Sequence, residues 1–127
     1  MLTLMLEGGF AMWFILLFGL VALGAAGSFA VRGDARSLGF VKGMTQATLY
    51  ATLVGIATDI GAVGHHVGEM MAGTFKLPPG NEALTPASAT LIGVGESMAP
   101  AIVGFALLTI TVLFTAIGER RVDLRAA

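Results

Sequence analysis

A single carboxylate, Asp59, stands in a stretch from Thr45 to Val67 that is otherwise uncharged and long enough to cross a membrane. A charge at that depth costs roughly 2.5–3.5 kcal/mol on insertion scales, so such a group ordinarily faces a partner or a water path. Three chemistries are open to it: proton exchange, ion binding, or a structural hydrogen bond or salt bridge to a neighbouring chain. Alternate steps of three and four from Thr45 give Thr48, Thr52, Gly55, Asp59, Ala62 and His66, all of them polar or small. They make a helical seam of period 3.5 that can hydrogen-bond, carry a proton or admit a close neighbour.

Two histidines, His65 and His66, follow near the end of this stretch, with Glu69 just beyond and Glu96 entering the third apolar segment at a similar depth. Adjacent residues point about 100° apart on a helix, so phasing puts only His66 on the seam with Asp59. A His66–Glu96 or His66–Asp59 contact would form a proton relay. The spacing of His66 and Glu69 also places two ligand types on one face, so His65, His66 and Glu69 are the alternative metal or haem set; one such pair falls short of the three or four ligands that a metal needs. A third reading is a plain interfacial histidine pair. The last apolar segment adds Thr109, Thr111 and Thr115, of which Thr111 and Thr115 share a face with Gly104 and Gly118. Any one threonine in a membrane helix ordinarily bonds its own backbone, so a hydrated seam is argued only from several aligned with one carboxylate. No nucleophile elbow, P-loop or dinucleotide fingerprint occurs, and the chain reads as a non-enzyme.

The elements that hold these residues follow from composition. The chain has 127 residues, 56% hydrophobic and 12% charged, with a mean hydropathy of +0.88. A soluble domain averages about 25% charged residues, so this composition belongs to a membrane. Cysteine is absent, which removes disulfides and thiolate metal sites, and a net charge of −1 without a basic patch gives no sign of nucleic acid. Three segments can span: Phe10 to Val31, Met44 to Val67 and Met98 to Ile117. Ala25 to Ala30 looks cleavable, yet no Lys or Arg precedes the first span, which reads as a retained helix. Trp13 sits where indole rings anchor. Val31 to Gly43 reads as a short turn, and Gly68 to about Leu84 as an opposite loop with a turn at Pro78-Pro79-Gly80-Asn81. Thr85-Pro86 reads as a cap and first residue, starting the third helix near 86, with Pro100 expected to kink it. The expectation is an all-α integral membrane protein, one three-helix domain over residues 1–127.

Orientation is read from basic residues. Arg32, Arg36 and Lys42 lie between the first two spans and Arg120, Arg121 and Arg125 follow the third, whereas the opposite side holds only Lys76. The positive-inside rule then places the N-terminus outside and the C-terminus in the cytoplasm.

The run Glu7-Gly8-Gly9-Phe10-Ala11-Met12-Trp13-Phe14-Ile15-Leu16-Leu17 resembles the opening of the MotA/TolQ/ExbB proton-channel family. Gly95-Glu96-Ser97-Met98-Ala99-Pro100-Ala101-Ile102-Val103-Gly104-Phe105-Ala106 is similar to that family's last span, and Gly118-Glu119-Arg120-Arg121 fits its basic end. Together these motifs cover under half of the chain. The family carries a sizeable cytoplasmic segment between its first long spans, where this chain has about a dozen residues. Its second span has a Gly-Thr-Val-Gly-like stretch where this chain reads Leu53-Val54-Gly55-Ile56-Ala57-Thr58-Asp59, and its essential acid usually belongs to a single-span partner.

The resemblance implies a multi-pass, proton-channel-like subunit of a bacterial inner membrane, in a short form. It implies a homo-oligomer, a pentamer in the family, with spans 2 and 3 lining a path and with a single-span partner and lipid as neighbours. No cofactor and no nucleic acid are expected. On this reading Asp59 binds the transported proton, Thr45, Thr48, Thr52, Thr111 and Thr115 hydrate the path, and His66 and Glu96 serve its outer mouth. Two alternatives stand beside it: a haem- or metal-binding redox subunit using His65, His66, Glu69 and Asp59, and a purely structural subunit of a larger membrane complex.

Overall fold

The computed structural model describes residues 9–74 and 85–126. The expected turn at Pro78 to Asn81, Lys76 and the Glu7-Gly8 pair lie outside the described residues. Helix α1 runs Gly9–Arg32, a short 3-10 turn covers Ala35–Ser37, α2 runs Leu38–Met71 and α3 runs Pro86–Ala126. No strand occurs among the described residues. All three helices are long and apolar enough to cross a membrane, which makes this a multi-pass membrane protein by length and composition. The most apolar window in α2 has a mean hydropathy of only 1.3, against 2.3 in α1 and α3, because α2 carries the threonines, Asp59 and the histidines.

The helix ends follow from local chemistry. Gly33 takes a φ of +64°, and its N–H donates to the Phe29 carbonyl at 2.8 Å, closing α1 with a left-handed cap that a side chain would strain. Asp34 then accepts from the Arg36 N–H at 3.0 Å and the Ser37 hydroxyl donates to the Asp34 carbonyl at 2.8 Å, so the chain reverses within a few residues. This turn is shorter than the one expected from Val31 to Gly43. Leu38 and the buried Val41 pack against Ala26 and Phe29, and that contact carries α2 several residues past the end of its uncharged stretch. At the other end Gly73, with φ +70°, donates to the Met70 carbonyl and Thr74 to the Glu69 carbonyl, the paired bonds of a Schellman cap. Helix α3 opens on a reciprocal cap: Ser88 N–H donates to Thr85 Oγ1 at 3.2 Å, and Thr85 N–H to Ser88 Oγ at 2.9 Å. It continues unbroken through Pro100, which is buried.

Glycines set how closely the helices approach. Gly55 of α2 lies against Ala11 and Ile15 of α1 and Pro100 of α3; Gly104 lies on Thr52, Gly93 on Val63, Gly19 on Leu107 and Gly118 on Phe29. Small residues at such crossings let backbones draw together, which is how helices gain dispersion contact in a lipid environment. Met12, Ile15, Ala22, Ala26, Phe29, Thr48, Thr52, Leu108 and Thr111 fill the interior, while Trp13, Leu17, Leu20, Leu53, Ile102 and Leu113 point outward.

One end of the bundle is basic. Lys42 Nζ pairs with Glu119 Oε1 at 3.1 Å, Arg121 Nη1 donates to the Val31 carbonyl at 3.3 Å, and Arg125 Nη1 donates to the Arg32 carbonyl at 2.8 Å. The two guanidinium groups thus meet the negative end of the α1 dipole.

Candidate functional site

Contacts between the antiparallel α2 and α3 set the levels. Lys42 meets Glu119, Thr52 meets Gly104, Gly55 meets Pro100 and Val63 meets Gly93. Asp59, one turn beyond Gly55, therefore shares a level with Glu96, one turn before Pro100. On α1 the same level falls at the first turn, because Gly55 lies against Ala11.

Asp59 is half-buried, and its Oδ2 atom is sealed from solvent without a hydrogen-bond partner among the described residues. It closes one end of a groove of about 490 Å³ between α1 and α2, lined by Phe10, Ala11, Phe14 and Phe18 from α1 and by Ala47, Tyr50, Ala51, Val54, Thr58 and Asp59 from α2. The three phenylalanines recur every four residues and stack along α1, with ring centroids 5.1 Å apart for Phe10–Phe14 and 6.0 Å for Phe14–Phe18. Ala47 and Ala51 face them, and their small size leaves the space. Nearby, Pro100 brings no N–H to the helix, so the Glu96 carbonyl loses its intrahelical donor at the level of Asp59.

Below Asp59 the seam is buried. Thr48 and Thr52 are 0% exposed and Thr111 is 1% exposed. Each threonine hydroxyl donates within its own helix: Thr45 to Val41, Thr48 to Met44, Thr52 to Thr48, Thr111 to Leu107 and Thr115 to Thr111, all at 2.8–2.9 Å. The expected path along Thr48, Thr52 and Thr111 thus falls on buried side chains whose hydroxyl donors are committed, and Thr52 lies against Gly104 of the same chain. Thr45 and Thr115 are half-buried at the edge of the same packing.

At and above the level of Asp59 the groups are open. Glu96 and both histidines are exposed. His66 Nδ1 lies 2.8 Å from the Ala62 carbonyl, and His65 Nε2 pairs with Glu69 Oε1 at 3.4 Å. The two imidazoles are 6.0 Å apart and nearly perpendicular. The alternative set of His65, His66 and Glu69 is therefore not assembled as ligands, since neighbouring positions diverge around the helix. No three His, Cys, Asp or Glu side chains converge on a metal position among the described residues.

Sequence reasoning places Glu96 at the depth of the histidines, whereas the α2–α3 contacts put it level with Asp59, and sequence reasoning passes over the groove. Its signal was present: Phe10, Phe14 and Phe18 at fourfold spacing, opposite Ala47 and Ala51. The effect of Pro100 on the Glu96 carbonyl was equally readable. No family model, curated protein or solved structure matches the chain, so the site is read from its own chemistry.

Proposed function

We propose that this chain is a proton-channel-like membrane subunit of the MotA/TolQ/ExbB type and that Asp59 binds and releases the transported proton. The observation that carries the reading is a lone carboxylate within an apolar helix, level with the first turn of α1, with a buried oxygen that no described residue satisfies. An ionised group so placed is costly, a protonated one much less so, and alternation between the two is what a proton carrier requires. Glu96 and His66, exposed at and above the level of Asp59, are positioned to exchange protons with water at that end. The threonines take a different part: Thr48, Thr52 and Thr111 hold the helices at fixed spacing, so the path runs over the Asp59 end and across a surface that other copies complete. A homo-oligomer, with the N-terminus outside and the basic end in the cytoplasm of a bacterial inner membrane, accords with six of the seven Lys and Arg residues lying at one end.

The test is passive proton flux in proteoliposomes, with assembly checked by native mass spectrometry. Asp59→Asn should abolish flux, cutting it at least tenfold, while leaving the oligomer mass unchanged. Equal flux in wild type and Asp59→Asn would reject the reading.

A further inference from the structure

We propose that Arg121 and Arg125 form a binding site for the phosphate of an anionic membrane lipid, seated over the last turn of α1. The inference needs only that the chain lies in a membrane and takes nothing from proton carriage. It concerns one retained headgroup, not the lipid that surrounds any membrane protein.

Geometry is the first argument. Arg121 and Arg125 stand four residues apart and so share one face of α3. Arg121 Nη1 donates to the Val31 carbonyl at 3.3 Å and Arg125 Nη1 to the Arg32 carbonyl at 2.8 Å. Those carbonyls are consecutive, so the two guanidinium groups are held side by side. Gly33 makes room for them: a Cβ there would come within 3.0 Å of Arg125 Nη1. A guanidinium carries five N–H donors in a rigid fork, and among the described residues each of these two spends one on α1. The donors that remain match the paired oxygens of a phosphate. Both side chains are already fixed, so less freedom is lost when an anion arrives.

Charge is the second argument. Like charges four residues apart on a helix repel. The end of α1 offsets only part of this, since a helix C-terminus carries about half a unit of negative charge. Among the described residues no carboxylate pairs with either arginine: Glu119 is taken by Lys42, and Asp34 accepts from the Arg36 N–H. Asp123 is two residues from each arginine, about 200° round the helix. Arg32, also exposed, adds a third guanidinium at the same end. An anion laid over the pair turns a repulsion into two charge-assisted contacts.

Depth identifies the source of the anion. The apolar run of α1 from Phe10 to Val31 is about 33 Å long at 1.5 Å per residue, close to the roughly 30 Å of a hydrocarbon core. Its last residues therefore reach the headgroup layer, where lipid phosphates lie, and the arginines dock there. Val31, exposed beside them, is placed to meet the top of an acyl chain. Free phosphate gains nothing from that apolar contact. A bound lipid phosphate would also tie α3 to α1, so it should stabilise this end of the bundle.

The test uses the full chain in mild detergent, with native mass spectrometry counting what it retains. The probes are phosphatidylglycerol, phosphatidylcholine, whose own ammonium neutralises its phosphate, and inorganic phosphate. Wild type should bind the first phosphatidylglycerol about tenfold more tightly than phosphatidylcholine, the scale of one charge-assisted contact. Arg121→Gln combined with Arg125→Gln should erase the preference. Arg121→Lys combined with Arg125→Lys keeps the charge but loses the forks, and should weaken the preference at least about threefold. Arg120→Gln removes one exposed charge from the same turn and should alter binding by less than about twofold. Phosphatidylglycerol should raise the melting temperature of wild type, and inorganic phosphate should not.

Equal retention of the two lipids by wild type would overturn the proposal. So would a preference that survives the double Gln variant. A double Lys variant that binds as wild type does, or an Arg120→Gln loss as deep as that of the double Gln variant, would reduce the effect to the general positive field of this end and equally overturn it. Stabilisation by inorganic phosphate equal to that by phosphatidylglycerol would assign the site to a free anion and overturn the lipid source. Melting of each variant checks that it folds, and if the double Gln variant does not, the Lys and Arg120 variants decide.

Discussion

A threonine in a membrane helix has one hydroxyl proton to give, and in this chain each of the aligned threonines gives it to the carbonyl four residues back. What remains is a lone pair and a methyl group, and at Thr48, Thr52 and Thr111 both are enclosed by packing. Thr52→Val keeps the shape and removes the hydroxyl. It should leave proton flux within about twofold of wild type and change stability by under about 1 kcal/mol, the scale of a polar contact between membrane helices. Flux and detergent melting measure the two, and a flux loss as deep as that of Asp59→Asn would return Thr52 to the path. The helical period tells which residues share the face of Asp59, but a period does not say what that face meets. Whether the seam touches water, lipid or its own chain depends on where α1 and α3 lie, and that information is spread over distant glycines. Asp59 itself was legible from one fact, a charge inside an apolar run.

At the scale of elements, the three helices are held by glycines that differ sharply in what surrounds them. A Cβ on Gly104 would run into Thr52, with Cγ2 only 2.6 Å away, whereas a Cβ on Gly95 of the same helix meets nothing within 4 Å. Gly104→Ala should therefore destabilise the fold by about 1–3 kcal/mol through overpacking. Gly95→Ala should be neutral or stabilising by up to about 1 kcal/mol, since alanine is the better helix former. Thermal melting in one detergent compares them, and equal melting would contradict the α2–α3 contact. Sequence signals for the helix ends were local and readable: Thr85-Pro86 stands where α3 begins, and Gly33 follows α1 directly. The start of α2 was less so. Hydropathy falls at Lys42 and Arg36, but Val41 and Leu38 are drawn into the core by Phe29, a contact no local window contains.

The whole molecule is charge-polarised. Arg32, Arg36, Lys42, Arg120, Arg121 and Arg125 gather at one end with Asp34, Glu119 and Asp123, while Asp59, Glu69 and Glu96 lie toward the other. The absence of cysteine makes the proposed orientation easy to probe. In oriented vesicles or intact cells, Ser88→Cys should react with an impermeant maleimide from outside and Ser37→Cys only after the membrane is opened. The reverse pattern would invert the topology. Three spanning segments were legible from composition and length, because about 20 apolar residues have few other uses. The arrangement of those spans was not, since lipid-facing and protein-facing apolar residues have the same chemistry: Leu53 and Leu113 point outward while Leu108 is buried.

The central claim is that the Asp59 carboxyl takes up and gives up a proton inside the folded, membrane-embedded chain. Infrared difference spectroscopy of the protein in vesicles, stepped between acidic and alkaline buffer, reads that event directly. A protonated-carboxyl stretch should appear at acid pH, vanish at alkaline pH, shift in heavy water and be missing from Asp59→Asn. A spectrum in which wild type and Asp59→Asn are indistinguishable across the whole range would contradict the claim.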